Sequence, residues 1–215
     1  KQFNTGPTEE AGLFASTPDP LGIHYRPSRL ASDKRLCLLT WDVTSAFLQS
    51  NLKYPKVVRP PKEIREDRED LRVCHKALPG LREASAAFQD TQEERSEKEL
   101  GFEYCEVERC FWRQVEKKTI GFVHGDDGAA VGYYEDLCWL KTELHILFDC
   151  RTNEIVGYYL ENKETSILKQ PIKVEERGWT LEGDEKHATR LVKLYGLDGH
   201  NAKRVSCPGS SDDKK

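Results

Sequence analysis

Short apolar runs separated by polar turns dominate the chain, and they predict a sheet of antiparallel strands. The clearest run is 36–41, which predicts a buried strand that ends at Asp42. Further strands are predicted at 57–58, 71–74, 111–115, 119–123, 128–133, 155–160, 166–168 and 179–181. The polar turn at 116–118 favours a hairpin between two of them.

Helical spacing of apolar residues predicts three helices among these strands. The first begins near Ala84, has a mostly polar second half and ends at Gly101. The second covers 137–148 and is the cleanest amphipathic segment of the chain. The third has Asp184 as its N-cap and ends at Gly196. This order of elements predicts an α+β fold, in which helices cover one face of an antiparallel sheet.

Breaker residues and weak periodicity set the two ends of the chain apart from its middle. Residues 1–34 contain several proline turns and are predicted to form an irregular leader. Residues 35–208 are predicted to form one domain, and the small polar residues 209–215 a disordered tail. The sequence contains no methionine, so we expect it to be a piece of a longer translated product.

The composition narrows the class of protein. With 37% hydrophobic and 33% charged residues the chain is typical of a globular protein. No stretch approaches the roughly 20 apolar residues of a membrane span. Seven scattered cysteines without a Cys-x-x-Cys pair favour reduced thiols in an intracellular protein over disulfides or a zinc site. The net charge of −4 counts against tight, autonomous binding of nucleic acid.

Two adjacent carboxylates, Asp126 and Asp127, lie between two predicted apolar strands. Like charges so close together repel each other, and a divalent cation between them would relieve the repulsion. The alternative is an ordinary type I′ hairpin turn at Asp127-Gly128. Asp42 also has two interpretations, because it could cap a helix that starts near Thr44 or supply a third carboxylate.

Three such carboxylates are the ligand set that a two-metal phosphoryl-transfer site requires. Two Mg²⁺ ions about 3.5–4 Å apart clamp the attacking and the leaving oxygen of an in-line displacement. Mg²⁺ prefers hard oxygen ligands and keeps several of its waters, so two or three carboxylates are enough. Backbone N–H groups at the start of the helix after Asp42 would suit the oxygens of a triphosphate.

The segment Asp42–Leu48 resembles the Asp-Val-x-x-Ala-Phe-Leu motif of copia-type retrotransposon reverse transcriptases, and His124–Asp127 stands where that family has Tyr-Val-Asp-Asp. The other matching blocks follow the order of the family. They are Arg59–Pro61, Val73–Arg82, Leu100–Phe102, Cys110–Phe111, Leu140–Phe148 and Val205–Pro208. The resemblance implies a ferredoxin-like polymerase palm with incomplete fingers, and with the thumb and RNase H regions absent.

The resemblance also implies roles for single residues. Asp42, Asp126 and Asp127, with the Val43 carbonyl, would bind two Mg²⁺ or Mn²⁺ ions. Phe47 would lie under the incoming sugar and exclude a 2′-hydroxyl. The other residues implied in nucleotide binding are Val43, Ser45, Ala46, Gly80 and Arg82.

Several of these roles have a plainer alternative. Phe47 could be an ordinary core aromatic, Gly80 a turn residue before a helix, and Arg82 a solvated side chain. His124 could bind metal or be an exposed histidine at the end of a strand.

The partners implied by the resemblance are an RNA or DNA template–primer, dNTPs and the rest of a polyprotein with integrase and RNase H, without a membrane. The implied reaction is metal-dependent addition of dNTPs to a primer 3′-hydroxyl, which is RNA-directed DNA synthesis. The implied location is intracellular, in a cytoplasmic particle or the nucleus.

Some positions depart from the family pattern. His124-Gly125 replaces Tyr-Val, Pro79 replaces an aromatic residue, and only Lys34-Arg35 stand where a basic fingers strand should precede Asp42. Such cations would neutralise the triphosphate. Two alternatives therefore stay open. One is a catalytically decayed palm that binds metal or nucleic acid weakly, and the other is a nucleotidyl cyclase-like ferredoxin-fold enzyme that uses the same carboxylates.

Overall fold

The computed structural model describes residues 15, 17–18, 28–67, 69–183 and 185–199. Most of the predicted leader, the predicted tail and the N-cap Asp184 lie outside these residues. Within the leader, residues 28–32 form a short helical turn. The chain divides into two units, one up to Leu181 and one from Glu182.

The first unit is built on antiparallel strands that belong to three sheets. The strands are β1 (Leu36–Val43), β2 (Asn51–Val58), β3 (Arg72–Lys76), β4 (Glu103–Tyr104), β5 (Phe111–Gln114), β6 (Thr119–His124), β7 (Asp127–Tyr133), β8 (Cys150–Thr152), β9 (Val156–Gly157), β10 (Glu164–Ile167), β11 (Gln170–Glu175) and β12 (Gly178–Leu181). The main sheet has the order β4-β5-β6-β7-β1-β8, and β9 also pairs with β1. Strands β10–β12 form a small sheet, and β2 and β3 form a two-stranded ribbon.

β1 is a central strand of the main sheet, and its side chains alternate between two buried layers. Leu36 and Leu38 belong to one hydrophobic cluster, whereas Leu39 and Trp41 belong to another. They alternate because successive side chains of a strand point to opposite faces of the sheet. Every residue of β1 is buried except Asp42. Burial on both faces explains why the segment is a continuous apolar run in the sequence.

Helices cover the Trp41 face of the main sheet. These are α1 (Ala84–Leu100) and α2 (Tyr134–Leu147). Phe88 of α1 and Leu137, Leu140 and Leu144 of α2 pack in the same cluster as Trp41. The predicted α+β class with an antiparallel sheet is confirmed.

α1 ends at Gly101, as the sequence predicts. Gly101 has a φ of 64° and its N–H donates to the Glu97 carbonyl at 3.1 Å, while the Phe102 N–H donates to the Ser96 carbonyl at 3.2 Å. The bond from Gly101 to Glu97 is the αL form of helix C-cap, which glycine favours because it tolerates positive φ. Ser96 and Glu93 are buried, so part of the polar half of α1 faces the protein interior.

The small sheet covers the other face of the main sheet. Ile167, Ile172 and Val174 pack in one cluster with Leu36 and Leu38. The first unit therefore has three layers: helices, main sheet and small sheet. The main sheet is thus packed on both faces: α1 and α2 lie on one, and the small sheet lies on the other together with Leu30 of the helical turn 28–32.

The small sheet is the part of the fold that the sequence predicts least well. Strands predicted at 166–168 and 179–181 correspond to β10 and β12, but β11 is not predicted. β11 begins at Gln170-Pro171 and has a short alternation at Ile172 and Val174, which is a weak signal on its own. The run 155–160 is wrong in length, because only Val156–Gly157 forms a strand.

The second unit contains α3 (Glu185–Leu194), which confirms the last predicted helix. Leu191 and Leu194 of this helix are exposed. Among the described residues, no helix combines the length and the apolar character needed to cross a bilayer.

Candidate active site

The end of β1 and the start of β7 place two carboxylates side by side. Asp42 is paired with Asp127 in the antiparallel register of the two strands. Directly opposite residues in such a pair project to the same face, with Cβ atoms about 4.5–5.5 Å apart. Asp42 shares its face of β1 with Leu38 and Leu36, so both carboxylates lie on the face away from the helices.

The third carboxylate lies in the turn that joins β6 to β7. His124 pairs with Asp127, so the turn itself consists of Gly125 and Asp126. Gly125 has a φ of 62°, and glycine is favoured at the first position of a II′ hairpin turn for this reason. The Asp126 carbonyl accepts a hydrogen bond from the Val43 N–H at 2.8 Å. This bond ties the turn to the end of β1.

Both plain structural alternatives for these carboxylates are wrong. The hairpin turn is not at Asp127-Gly128, because both residues already belong to β7. Asp42 is not a helix cap, because it is a strand residue. A 3-10 helix (Ala46–Gln49) does follow, but its N-cap position is Ser45, without a side-chain capping bond. Pairing of β1 with β7 outweighs the local signals for a turn and a cap.

A glycine in β7 allows the hairpin to lie close against β1. A Cβ atom at Gly128 would be 2.1 Å from Cε2 of Trp41. Trp41 is 3% exposed and lies near Trp112, with a ring-centroid distance of 6.5 Å. The indole thus occupies the space that a side chain at Gly128 would need, and the placement of the carboxylates depends on this close approach.

The three carboxylates line one cavity of about 640 Å³. This volume lies within the range of small-molecule sites, about 300–1,000 Å³. The cavity is bounded by the main sheet and by the turn between β10 and β11. Its lining residues are Thr40, Trp41, Asp42, Phe122, Asp126, Asp127, Gly128, Arg151, Asn153, Ser166, Ile167, Leu168 and Lys169.

Negative charge accumulates in this cavity. Burial raises the pKa of Asp127, and the charges of Asp126 and Asp42 raise it further, whereas His124 and Lys169 oppose the shift. Three carboxylates supply the hard oxygen donors that Mg²⁺ prefers. However, within the part of the chain that the structure describes, no three His, Cys, Asp or Glu side chains form a group that could hold a metal ion. The donor chemistry suits divalent cations, and the side chains would have to turn toward one another to share one.

Two cations line the same cavity, and neither is evident from the sequence. Arg151 in β8 is the register partner of Asp42. Lys169 lies with Leu168 in the two-residue turn between β10 and β11, at φ values of 66° and 49°. Side chains with a Cβ rarely adopt such values, and strain of this kind concentrates at functional sites. No motif points to either cation. Arg151 reaches the cavity because β8 pairs with the distant β1, and Lys169 because the small sheet packs on the main sheet.

The nucleotide-binding residues implied after Asp42 do not line the cavity. The Val43 side chain is buried, with 1% exposed, and Ala46 is also buried. Ser45 has a φ of 49°. Phe47 is half-buried and packs against two hydrophobic clusters. The alternative of a core aromatic therefore describes the packing of Phe47, while its contact with a sugar stays a prediction.

Gly80 lies in a turn, as its plainer alternative states. The Leu81 N–H donates to the Leu78 carbonyl at 3.1 Å, and Gly80 has a φ of 94°. With a proline before the glycine, this matches a type II turn. A Cβ at Gly80 would meet nothing within 4 Å, so the space beside it is open. Arg82 is exposed, and Leu81 packs on the same small cluster as Phe47.

His124 is half-buried rather than exposed. Its Nδ1 is buried and has no hydrogen-bond partner among the described residues. Since His124 pairs with Asp127 across the turn, the imidazole belongs to the surroundings of the carboxylates.

Comparisons with protein-family models, with curated proteins and with solved structures each gave no match. The motifs, the strand register and the chemistry of the cavity are therefore the features that bear on function.

Proposed function

We propose that the chain is the palm of a retrotransposon reverse transcriptase, which performs RNA-directed DNA synthesis by two-metal nucleotidyl transfer. One observation carries the proposal. The strand register sets Asp42 opposite Asp127, with Asp126 in the adjoining turn, and all three line one cavity. These are the three aspartates that the motifs of the family assign to metal binding, although Asp42 and Asp126 are 84 positions apart in the sequence.

The arrangement of the elements supports a ferredoxin-like palm. The β6–β7 hairpin lies beside β1, while α1 and α2 lie on the opposite face from the carboxylates. Among the described residues, the small sheet and Leu30 of the helical turn 28–32 pack on the carboxylate face. A substrate can therefore approach the ends of the strands without displacing the helices.

In this proposal Asp42, Asp126, Asp127 and the Val43 carbonyl hold two Mg²⁺ or Mn²⁺ ions. When bound, such ions activate the attacking hydroxyl and neutralise charge on the leaving group. The carboxylates would hold these ions at the end of β1 and so set where the groups bound by the ions lie. Burial raises the pKa of Asp127, and repulsion from Asp126 and Asp42 raises it further. A cation would relieve that repulsion, which favours cation binding.

Arg151 and Lys169 supply positive charge on the phosphate side of the proposed reaction. Both line the carboxylate cavity, and the family's basic strand before Asp42 has no clear counterpart. A cation in a partly enclosed site stabilises developing phosphate charge more strongly than it would in water. These two residues thus replace part of the charge expected from the fingers.

The partners follow from the same proposal. The substrates are a dNTP and an RNA or DNA template–primer, and the remaining functions of the element, integrase and RNase H, belong to the rest of the polyprotein. Ser45, Ala46, Phe47, Gly80 and Arg82 are proposed to contact the nucleotide or the strand that it joins.

Primer extension tests the proposal directly. The assay uses oligo(dT) on a poly(rA) template with Mg²⁺ or Mn²⁺, and it compares wild type with Asp42→Asn, Asp126→Asn and Asp127→Asn. We expect each substitution to reduce extension by roughly 10²-fold or more, as for removal of a group that acts in the transition state. Asp136→Asn is the matched control, because Asp136 lies on α2 and pairs with Lys117 at 3.7 Å.

The same assay separates the alternatives. Equal absence of extension in wild type and Asp126→Asn would support a decayed palm. Template-independent formation of a cyclic nucleotide from an NTP would support a cyclase-like enzyme instead. Loss of extension in the three cavity variants, with activity kept in Asp136→Asn, would support the polymerase.

A further inference from the structure

The 3-10 helix after Asp42 is held by one glutamine side chain. Gln49 Nε2 donates to the Thr44 carbonyl at 2.7 Å and to the Asp149 carbonyl at 2.8 Å. Its Oε1 accepts a hydrogen bond from the Asp149 N–H at 3.0 Å. The Thr44 N–H also donates to the Asp149 carbonyl, at 2.8 Å. The amide uses both donor hydrogens and its acceptor to join segments that are 100 residues apart.

Arg95 of α1 extends this network. Its Nη2 donates to the Gln49 carbonyl at 3.3 Å, and its Nη1 donates to the Leu147 carbonyl at the end of α2, at 3.1 Å. The guanidinium also lies over the Phe148 ring, 5.6 Å from its centroid. Gln49 is therefore tied to both helices as well as to the loop before β8.

The segment that Gln49 holds contains a strained residue. Ser45 has φ 49° and ψ 43°, a left-handed conformation that is unfavourable for residues with a Cβ. Such a conformation persists where the surroundings fix it. The Gln49 bond to the Thr44 carbonyl lies directly before Ser45, and the Leu48 N–H donates to the Ser45 carbonyl at 2.9 Å. Both sides of the strained residue are thus restrained.

We propose that Gln49 is a positioning residue for the incoming nucleotide. It fixes Ser45, Ala46 and Phe47 relative to Asp42, so that the nucleotide and the carboxylates meet in one geometry. The inference rests on the proposed polymerase function, and it assigns Gln49 no contact with substrate.

The substitution Gln49→Glu tests the inference with almost no change in size. A carboxylate would place an acceptor against the two carbonyls that now accept hydrogen bonds from Nε2, and the clamp would open. We expect the dNTP KM to rise about tenfold while kcat changes less than about threefold, the signature of lost nucleotide placement. In the protein without substrate or metal, we expect faster hydrogen–deuterium exchange over residues 43–50.

Gln114→Glu is the matched control. Gln114 is buried, whereas Gln49 is half-buried. Like Gln49, it joins two backbone groups, since its Nε2 donates to the Leu100 carbonyl at 3.3 Å and its Oε1 accepts from the Lys117 N–H at 2.6 Å. It lies on β5, away from the carboxylate cavity. We expect this variant to lower the melting temperature without changing the dNTP KM or the exchange of residues 43–50. Arg95→Lys serves if Gln49→Glu does not fold, and we expect a smaller rise in KM from it.

The outcomes distinguish this inference from the proposed function. If wild type extends primers and Gln49→Glu keeps the wild-type KM, the positioning role is overturned and the polymerase proposal stands. If both glutamine variants raise KM equally, the effect is general destabilisation and the role is again overturned. If wild type neither extends primers nor binds dNTP, the proposed function fails first, and the inference fails with it. A selective rise in KM and in local exchange for Gln49→Glu supports it.

Discussion

At the scale of single residues, Asp127 is the group in the cavity whose charge is most strongly affected by its surroundings. Burial and two neighbouring carboxylates raise its pKa, and His124 and Lys169 offset only part of the shift. The folded protein therefore keeps the Asp127 proton to a higher pH than the unfolded chain does. Between the ordinary carboxyl pKa and the raised pKa of Asp127, the folded state binds more protons than the unfolded state. The free energy of unfolding therefore falls as pH rises through that range.

The substitution Asp127→Asn should raise the free energy of unfolding at pH 7 in the absence of divalent ions. The gain should shrink below the ordinary carboxyl pKa of 3.8, where the aspartate is protonated in both states. Urea denaturation in EDTA at the two pH values measures the effect. Equal or lower stability of the variant at pH 7 would contradict the expected repulsion. Asp136→Asn, whose parent pairs with Lys117, should show no gain.

Sequence motifs identify the acidic residues of the site but not its cations. Asp42, Asp126 and Asp127 belong to local patterns, so the order of residues alone is enough to recognise them. Arg151 and Lys169 belong to no such pattern, since they reach the cavity through the pairing of β8 with β1 and through the turn of a small sheet. Long-range pairing of this kind leaves no periodic signal in the sequence.

At the scale of elements, the pairing of β1 with β7 decides the geometry of the site. The register sets Trp41 opposite Gly128 and, one step further, Asp42 opposite Asp127. A slip by one residue would move the Asp127 side chain to the other face. The packing of Trp41 over Gly128 makes such a slip unfavourable, because the indole fits only beside a residue without a side chain.

The substitution Gly128→Ala should therefore destabilise the protein and impair the site together. Its Cβ would lie 2.1 Å from Cε2 and 2.3 Å from Cζ2 of Trp41. Overpacking of this kind costs about 1–3 kcal/mol, and the free energy of unfolding from urea titration measures it. Gly183→Ala is a suitable comparison, since a Cβ there would meet nothing within 4 Å. Equal stability of the two variants would show that Trp41 moves aside freely.

Elements with a strong period are predictable from this sequence, and those that depend on their neighbours are not. β1, α1 and α2 follow directly from apolar runs and helical spacing. β2 extends over Asn51–Val58, although only Val57-Val58 has a strand pattern, because its pairing with β3 rather than its own composition sustains it. β11 is missed for the same reason, since its pairing with β10 and β12 fixes its conformation.

At the scale of the whole molecule, an acidic chain keeps two cations where the proposed chemistry needs them. The formal net charge is −4, yet Arg151 and Lys169 both line the carboxylate cavity. Net charge therefore describes long-range attraction to nucleic acid rather than the local field at the reacting phosphate. In the proposed polymerase, template affinity and the charge at the reacting phosphate would therefore be separate properties.

The substitution Lys169→Ala should raise the dNTP KM about threefold to tenfold, consistent with loss of one partly solvated charge interaction of ~1 kcal/mol. The effect should diminish at high ionic strength, because salt screens such interactions. Lys173→Ala is the matched control, as Lys173 lies in the neighbouring strand and is 3.8 Å from Glu164. Steady-state primer extension at two salt concentrations provides the measurement. An unchanged KM at low salt would remove Lys169 from the proposed phosphate site.

The hydrogen bond from the Val43 N–H to the Asp126 carbonyl joins the end of β1 to the tip of the β6–β7 hairpin. This joined segment carries all three proposed acidic ligands. The distances between their backbones are therefore fixed and do not adjust to nucleotides of different size. The part of the cavity that can adjust to the nucleotide is then the opposite side, the two-residue turn at Leu168-Lys169. We therefore expect substitutions in that turn to change which nucleotides bind. Substitutions of the three aspartates should instead change whether any nucleotide is added to a primer.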